Sequence, residues 1–216
     1  MKTYNLSAQP RTEIGKKASK LLRNAGLIPV GLIGGERVDL PYAGALKEGE
    51  RVVDLGNNKG IIVTSLAVKA EDVRKLIYTP EIFAIDLDVN GAKKTAILKE
   101  IQFHPVKDEI LYIDLLEVND KKPVVIEVPV KLEGHAEGVK AGGKLALQIR
   151  KLKVKALYNV IPERLIVDVT SLGLGKTIKV GELNYEGLQL LNAKEAVVCA
   201  VKLTRAARGA QAAAGK

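Results

Sequence analysis

Side chains able to carry chemistry are few in this sequence, and their spacing excludes most reactions before any fold is considered. There are two histidines, His104 and His135, and one cysteine, Cys199. Each histidine stands beside a turn signal, and neither has cysteines or carboxylates at metal-ligand spacing, so no metal site is expected. Cys199 lies in the apolar run from Ala196 to Val201. It reads as a buried thiol, and a lone cysteine in such a run fits a reducing compartment. Gly175-Lys176-Thr177 resembles the end of a phosphate-binding loop, but the earlier glycine that such a loop needs falls on Thr170. No nucleophile–base or paired-carboxylate set emerges. The expectation is a protein that is not an enzyme and takes no cofactor.

What remains is cationic. In the segment from Gly15 to Gly26, the residues Ala18, Leu21, Leu22 and Ala25 recur at helical spacing, and Gly26 can end the helix. Lys16, Lys17, Lys20, Arg23 and Asn24 then fall on the opposite arc. Cations gathered on one arc suit phosphates, which supply most of the affinity for a nucleic acid. A double-stranded RNA also has to be read by shape, 2′-hydroxyls and base edges in its shallow minor groove. A flat strand platform with placed polar groups does that, and Lys99, Gln102 and His104 in the run up to Pro105 could supply one.

The elements that must position these groups are mostly strands. Tyr4, Leu6 and Ala8 alternate in a first strand, and Val30 to Ile33 forms another that runs into a Gly34-Gly35 turn. Residues 36–60 carry scattered glycines and Pro41, and read as short strands and a long loop. Glu71 to Leu76 reads as a turn or two of helix. Phe83 to Val89, Asn90-Gly91 and Thr95 to Phe103 form the clearest hairpin signal, and Ile110 to Glu117 makes a further strand. After the charged junction from Val118 to Pro123, strands follow at Val124–Leu132, Leu145–Ile149, Leu152–Tyr158, Leu165–Val169, Thr177–Val180 and Ala196–Leu203. The fold class expected is mainly β with a few short helices. The domains are 1–119, an all-β second domain at 120–204, and a flexible Ala-rich basic tail at 205–216.

Bulk properties agree with an assembly protein. Of 216 residues, 47% are apolar, enough for a real core, yet only 4% are aromatic. Net charge is +9, distributed as +5 over residues 1–35, −4 over 36–119 and +8 over 120–216. Such asymmetry suggests an oriented phosphate-facing surface. Neither an apolar leader core nor about 18 continuous apolar residues occurs, so a soluble cytoplasmic protein without membrane contact is expected.

Several separated motifs carry a family resemblance. They are Arg11, the block Gly15-Lys16-Lys17-Ala18-Ser19-Lys20-Leu21-Leu22-Arg23, Pro29 to Gly35, Gln102-Phe103-His104-Pro105-Val106 and Ile113-Asp114. In the second half they are Val128-Pro129-Val130, Gly138 to Gly143, Ile161-Pro162 and Val167-Asp168-Val169. Together these resemble the bacterial 5S-rRNA-binding large-subunit ribosomal proteins of the general stress protein CTC family, in their long two-domain form. The resemblance covers nearly all of the chain except residues 36–60 and the tail. It implies a β-barrel N-terminal domain that docks on the minor groove of 5S rRNA and helps form the central protuberance. The implied RNA contacts are Arg11, Lys16, Lys17, Ser19, Lys20, Arg23, Lys99, Gln102, His104, Tyr112 and Asp114. Implied partners are 5S rRNA, the large subunit with its other 5S-associated proteins, and 23S rRNA through the C-terminal domain and tail. Three positions depart from the family pattern: Leu21 where a second basic residue is usual, Ile33 where Tyr is, and Tyr112 where His is. Ile33 cannot donate a hydrogen bond, and a lost polar contact costs on the order of 1 kcal/mol. The departures motivate an alternative class, a diverged non-ribosomal stress or regulatory interaction protein.

Overall fold

The computed structural model describes residues 1–204, apart from the side chains of Gly35 and Glu36. The basic tail expected at 205–216 lies outside the described residues. The chain divides into two compact units, one from Met1 to Lys122 and one beginning at Pro123.

The first unit holds β1 (Lys2–Pro10), α1 (Lys16–Asn24), β2 (Leu27–Asp39), β3 (Glu50–Gly56), β4 (Lys59–Lys69), α2 (Ala70–Ile77), β5 (Phe83–Val89), β6 (Ala92–Phe103) and β7 (Ile110–Glu117). Its seven strands are ordered β1-β5-β6-β7-β2-β4-β3, and an extra β1–β4 pairing closes six of them into a barrel with β3 outside the ring. Closure removes the open edges that β1 and β4 would otherwise leave. Alternate residues point inward, among them Leu6 and Ala8 of β1, Ile28, Val30 and Leu32 of β2, Leu66 and Val68 of β4, and Ile113 and Leu115 of β7. Val73 and Leu76 of α2 complete this core.

Two expectations are corrected here. The Gly34-Gly35 pair is not a turn: β2 runs on to Asp39, with a register irregularity between Ile33 and Arg37. Glycine leaves the backbone free to bend within a ladder, so the strand kinks instead of ending. The long loop foreseen in 36–60 shrinks, because β3 and β4 form a hairpin over its second half. Asn57 and Asn58, both at positive φ (57° and 55°), make its two-residue turn. Asparagine tolerates that conformation, as Asn-Gly does at residues 90–91.

The second unit holds β8 (Val124–Glu133), α3 (Glu137–Lys140), β9 (Lys144–Leu147), β10 (Lys151–Ala156), β11 (Leu165–Asp168), β12 (Thr177–Lys179), β13 (Gln189–Leu190) and β14 (Val197–Lys202). A four-stranded sheet is ordered β11-β8-β10-β13, and a three-stranded sheet β12-β14-β9. Strict alternation in Lys151-Leu152-Lys153-Val154-Lys155-Ala156 buries the apolar residues and exposes the lysines. Cys199 is fully buried in β14, and burial pushes its thiol pKa up. The molecule is thus mainly β, with an N-terminal barrel and an all-β C-terminal unit.

Candidate nucleic-acid interface

The outward face of the barrel is where the polar residues converge. Residues paired across a ladder share a face. Gly31 of β2 pairs with Ser65 of β4 on one side and with Asp114 of β7 on the other. Asp114 pairs in turn with Glu100 of β6. Arg11 extends this row from the end of β1, its backbone N–H donating to the Ser65 carbonyl at 2.9 Å. A neighbouring row runs Arg51, Val63, Ile33 and Leu116. The Ser65 N–H donates to Gly49 at 2.7 Å, so Ser65 is the seam at which β1 gives way to the β3 segment beside β4. Arg51, across that seam, is near enough for its charge to act on Arg11.

Two glycines make the approach feasible. A Cβ on Gly31 would lie 2.1 Å from the Tyr112 hydroxyl and 3.0 Å from Asp114 Oδ1, so the bare backbone at 31 is the floor under the Tyr112 phenol. Gly49, at φ +80°, allows the β3 segment to sit against Arg11, whose carbonyl would be 3.3 Å from a Cβ there.

The electrostatics follow from this geometry. The Tyr112 hydroxyl donates to the Asp114 carboxylate, and burial together with the nearby carboxylate raises the phenol pKa to about 12. The phenol therefore stays protonated and donating. Burial raises the Asp114 pKa above the ordinary carboxylate value, against the lowering effects of the Tyr112 bond, Lys99 and Arg51. Burial lowers the Arg11 pKa, with Arg51 and Arg23 as repelling neighbours and Tyr112 opposing them. Arg11 Nε and Nη1 are buried and meet no hydrogen-bond acceptor among the described residues. A buried donor left unpaired costs about 1–3 kcal/mol, more for a charged group. The arrangement favours an anion that would accept from it.

Of the sequence-predicted residues, the structure brings Arg11, Arg23, Lys99, Tyr112 and Asp114 together, with Gln102 paired opposite Tyr112 on β6. Lys16, Lys17 and Lys20 are exposed on α1. The helix does not bury its expected apolar stripe: Leu21 is 68% exposed and Ala25 is exposed, while Ala18, Ser19, Leu22 and Arg23 are half-buried. The half-buried side also carries a polar tie, because Arg23 Nη1 donates to the Leu111 carbonyl of β7 at 3.3 Å. His104 stands apart from the cluster. Its Nδ1 accepts from the N–H groups of Val106 and Lys107, both at 3.2 Å, which fixes the β6–β7 turn and leaves Nε2 as the atom able to donate outward.

Arg51, Gly31 and Ser65 escaped the sequence reading. Arg51 lies in residues 36–60, which read as short strands and a long loop with no bounds for a strand, although Val52-Val53 followed by Asn57-Asn58 is a hairpin signal. Elsewhere, Lys176 joins the β12–β14 pairing through its backbone carbonyl, which accepts from Val201 at 3.0 Å. Among the described residues, no group of three or more His, Cys, Asp or Glu is arranged to hold a metal, and no helix is long and apolar enough to cross a membrane.

Two family models match the chain. The ribosomal L25p family covers residues 55–115, and the C-terminal domain of ribosomal protein TL5 covers residues 123–205. Among curated relatives, large ribosomal subunit protein bL25 of Phocaeicola vulgatus is 57% identical over 216 residues, spanning 100% of both chains. The bL25 of Bacteroides fragilis strain YCH46 is 58% identical over 93% of this chain and 89% of its own. That of Porphyromonas gingivalis strain W83 is 57% identical over 97% of each.

Proposed function

The chain belongs to the ribosomal L25p family, in the form with a TL5-type C-terminal domain, and on that premise we propose that it binds 5S rRNA through the outward face of its barrel. Its role is that of a structural constituent of the large ribosomal subunit. The observation that supports the RNA site is the pair of buried Arg11 nitrogens, Nε and Nη1, which meet no acceptor among the described residues and lie near the Tyr112–Asp114 pair. Lys16, Lys17 and Lys20 on α1 take phosphates and contribute most of the salt-dependent affinity. Arg23 ties the inner side of the helix to the barrel through Leu111, and Ser19 and the remaining Arg23 donors serve the same RNA backbone. Asp114 accepts from a base amino group; in a minor groove the guanine N2 amine is the donor available. Tyr112 holds that carboxylate in place, and Gln102, Lys99 and His104 Nε2 border the platform.

The protein works in the bacterial cytoplasm as part of the ribosome and carries out no catalysis. In the central protuberance it neighbours the other 5S-associated proteins. The second unit and the tail reach 23S rRNA, for which the exposed Lys151 and Lys155 of β10 are suited. Domain bounds of 1–119 and 120–204 divide these two tasks.

The test is sedimentation from growing cells. The protein should travel with the large subunit at low salt, and 5S rRNA should be recovered with it after 23S rRNA is digested. Absence from ribosomes during growth, with appearance only under stress, would instead identify a non-ribosomal regulatory protein.

A further inference from the structure

The structure assigns Arg51 to the RNA site: with Arg11, across the Ser65 seam, it forms a preformed clamp for one phosphate of the bound RNA. This rests on the reading that the barrel face binds 5S rRNA. It adds a residue from β3, the strand outside the barrel ring, in a segment where neither the motif resemblance nor the barrel closure places a contact.

The case begins with the backbone. The Ser65 N–H bonds to Gly49 and its carbonyl accepts from Arg11, so the start of β3 and the end of β1 are held by one residue. Arg51 shares its row with Val63 and Ile33, on the same face as Gly31 and Asp114. Arg51 is exposed, whereas Arg11 has buried nitrogens with no acceptor among the described residues. The Arg51 charge repels that of Arg11, and Asp114, the carboxylate that Arg51 acts on, already accepts from Tyr112. Neither Arg11 nor Arg51 makes a salt bridge among the described residues. An anion between them relieves the repulsion and supplies the missing acceptors. A phosphate matches the forked geometry of guanidinium donors in a way that a base edge or a single carboxylate does not. The Ile33 side chain, in the same row, offers no competing hydrogen bond.

The test is binding of the full chain to 5S rRNA across a potassium chloride series, with Lys93→Ala as a charge-matched control beside the Asn90-Gly91 turn. Arg51→Ala should lose about tenfold in affinity and lower the salt slope by about one, while Lys93→Ala changes neither. Arg51→Lys should keep the slope and lose a fewfold in affinity, because it keeps the charge but not the fork. A folded Arg51→Ala protein with the wild-type affinity and slope overturns the assignment. If that variant fails to fold, an Arg51→Lys protein with full wild-type affinity does so. Failure of the underlying reading looks different: the wild type itself would then bind 5S rRNA no better than an unrelated duplex.

Discussion

In the second unit Lys131, Lys153 and Lys179 each meet a carboxylate, Glu133 at 3.1 Å, Glu127 at 3.8 Å and Glu195 at 2.7 Å. In the first, Arg11 is partly withdrawn from water with no acceptor for two of its nitrogens. Yet residues 120–216 carry +8, against +1 for residues 1–119. Summed charge therefore favours the second unit as the anion site, whereas buried donors without an acceptor among the described residues favour the first. Exposed lysine–glutamate pairs contribute little and leave each lysine able to be solvated or to exchange partners. Guanidinium nitrogens buried without an acceptor among the described residues are placed for one ligand. On the proposed reading, the sheets of the second unit supply diffuse attraction and the barrel face of the first supplies recognition.

The contrast can be broken most directly at Arg11. Arg11→Ala should weaken 5S rRNA binding by about 2–3 kcal/mol, the value of hydrogen bonds to a charged group, measurable by filter binding. A variant with wild-type affinity would place the two units on the same footing. Next comes the floor beneath Tyr112. Gly31→Ala should displace the phenol and destabilise the fold by about 1–3 kcal/mol in denaturant unfolding, with a parallel loss of RNA affinity. Adding Tyr112→Phe removes the oxygen at 2.1 Å and should recover part of the stability, a coupling that a double-mutant cycle detects. Lys16→Ala with Lys20→Ala should lower the salt slope by about two without altering the preference for 5S over other RNA. By contrast, Lys153→Ala in the second unit should leave 5S affinity and slope unchanged. An equal fall there would mean that total charge, not placement, governs binding.

The smallest effect concerns pH. Because burial raises the folded-state pKa of Asp114 above its unfolded value, folding takes up a proton between the two. Wild-type stability therefore falls as pH rises through that window. Asp114→Asn removes this titration, so its melting temperature should gain on the wild type at neutral pH. The gain should shrink as pH drops below the ordinary carboxylate range. A constant difference between pH 4 and pH 7 would assign the Asp114 environment differently.

Much of this was legible in the sequence where local chemistry decides the outcome. Asn90-Gly91 fixes the β5–β6 hairpin, and Lys151 to Ala156 announces a half-buried strand. The site's polar residues came from motifs whose order along the chain survives without any knowledge of packing. What escaped depends on contacts distant in sequence. Barrel closure rests on β1 pairing with both β5 and β4, which no local pattern encodes. On α1 only half of the expected apolar stripe turns inward, Ala18 and Leu22 but not Leu21 and Ala25, and the inner side includes Arg23, bonded to Leu111. Arg51 was hidden because both faces of β3 are largely exposed, so its alternation carries little hydrophobic contrast. The demand for glycine at position 31 becomes visible only when the Tyr112 hydroxyl is seen above it.

One competition experiment tests the central claim: labelled 5S rRNA bound to the full chain at physiological salt, challenged with unlabelled 5S rRNA or with an unrelated duplex of equal length. Placed recognition on the barrel face predicts that the duplex competes on the order of a thousandfold less well, the lower end of specific protein–nucleic acid discrimination. Equal competition by the two RNAs would contradict it, leaving only a basic protein held to RNA by charge.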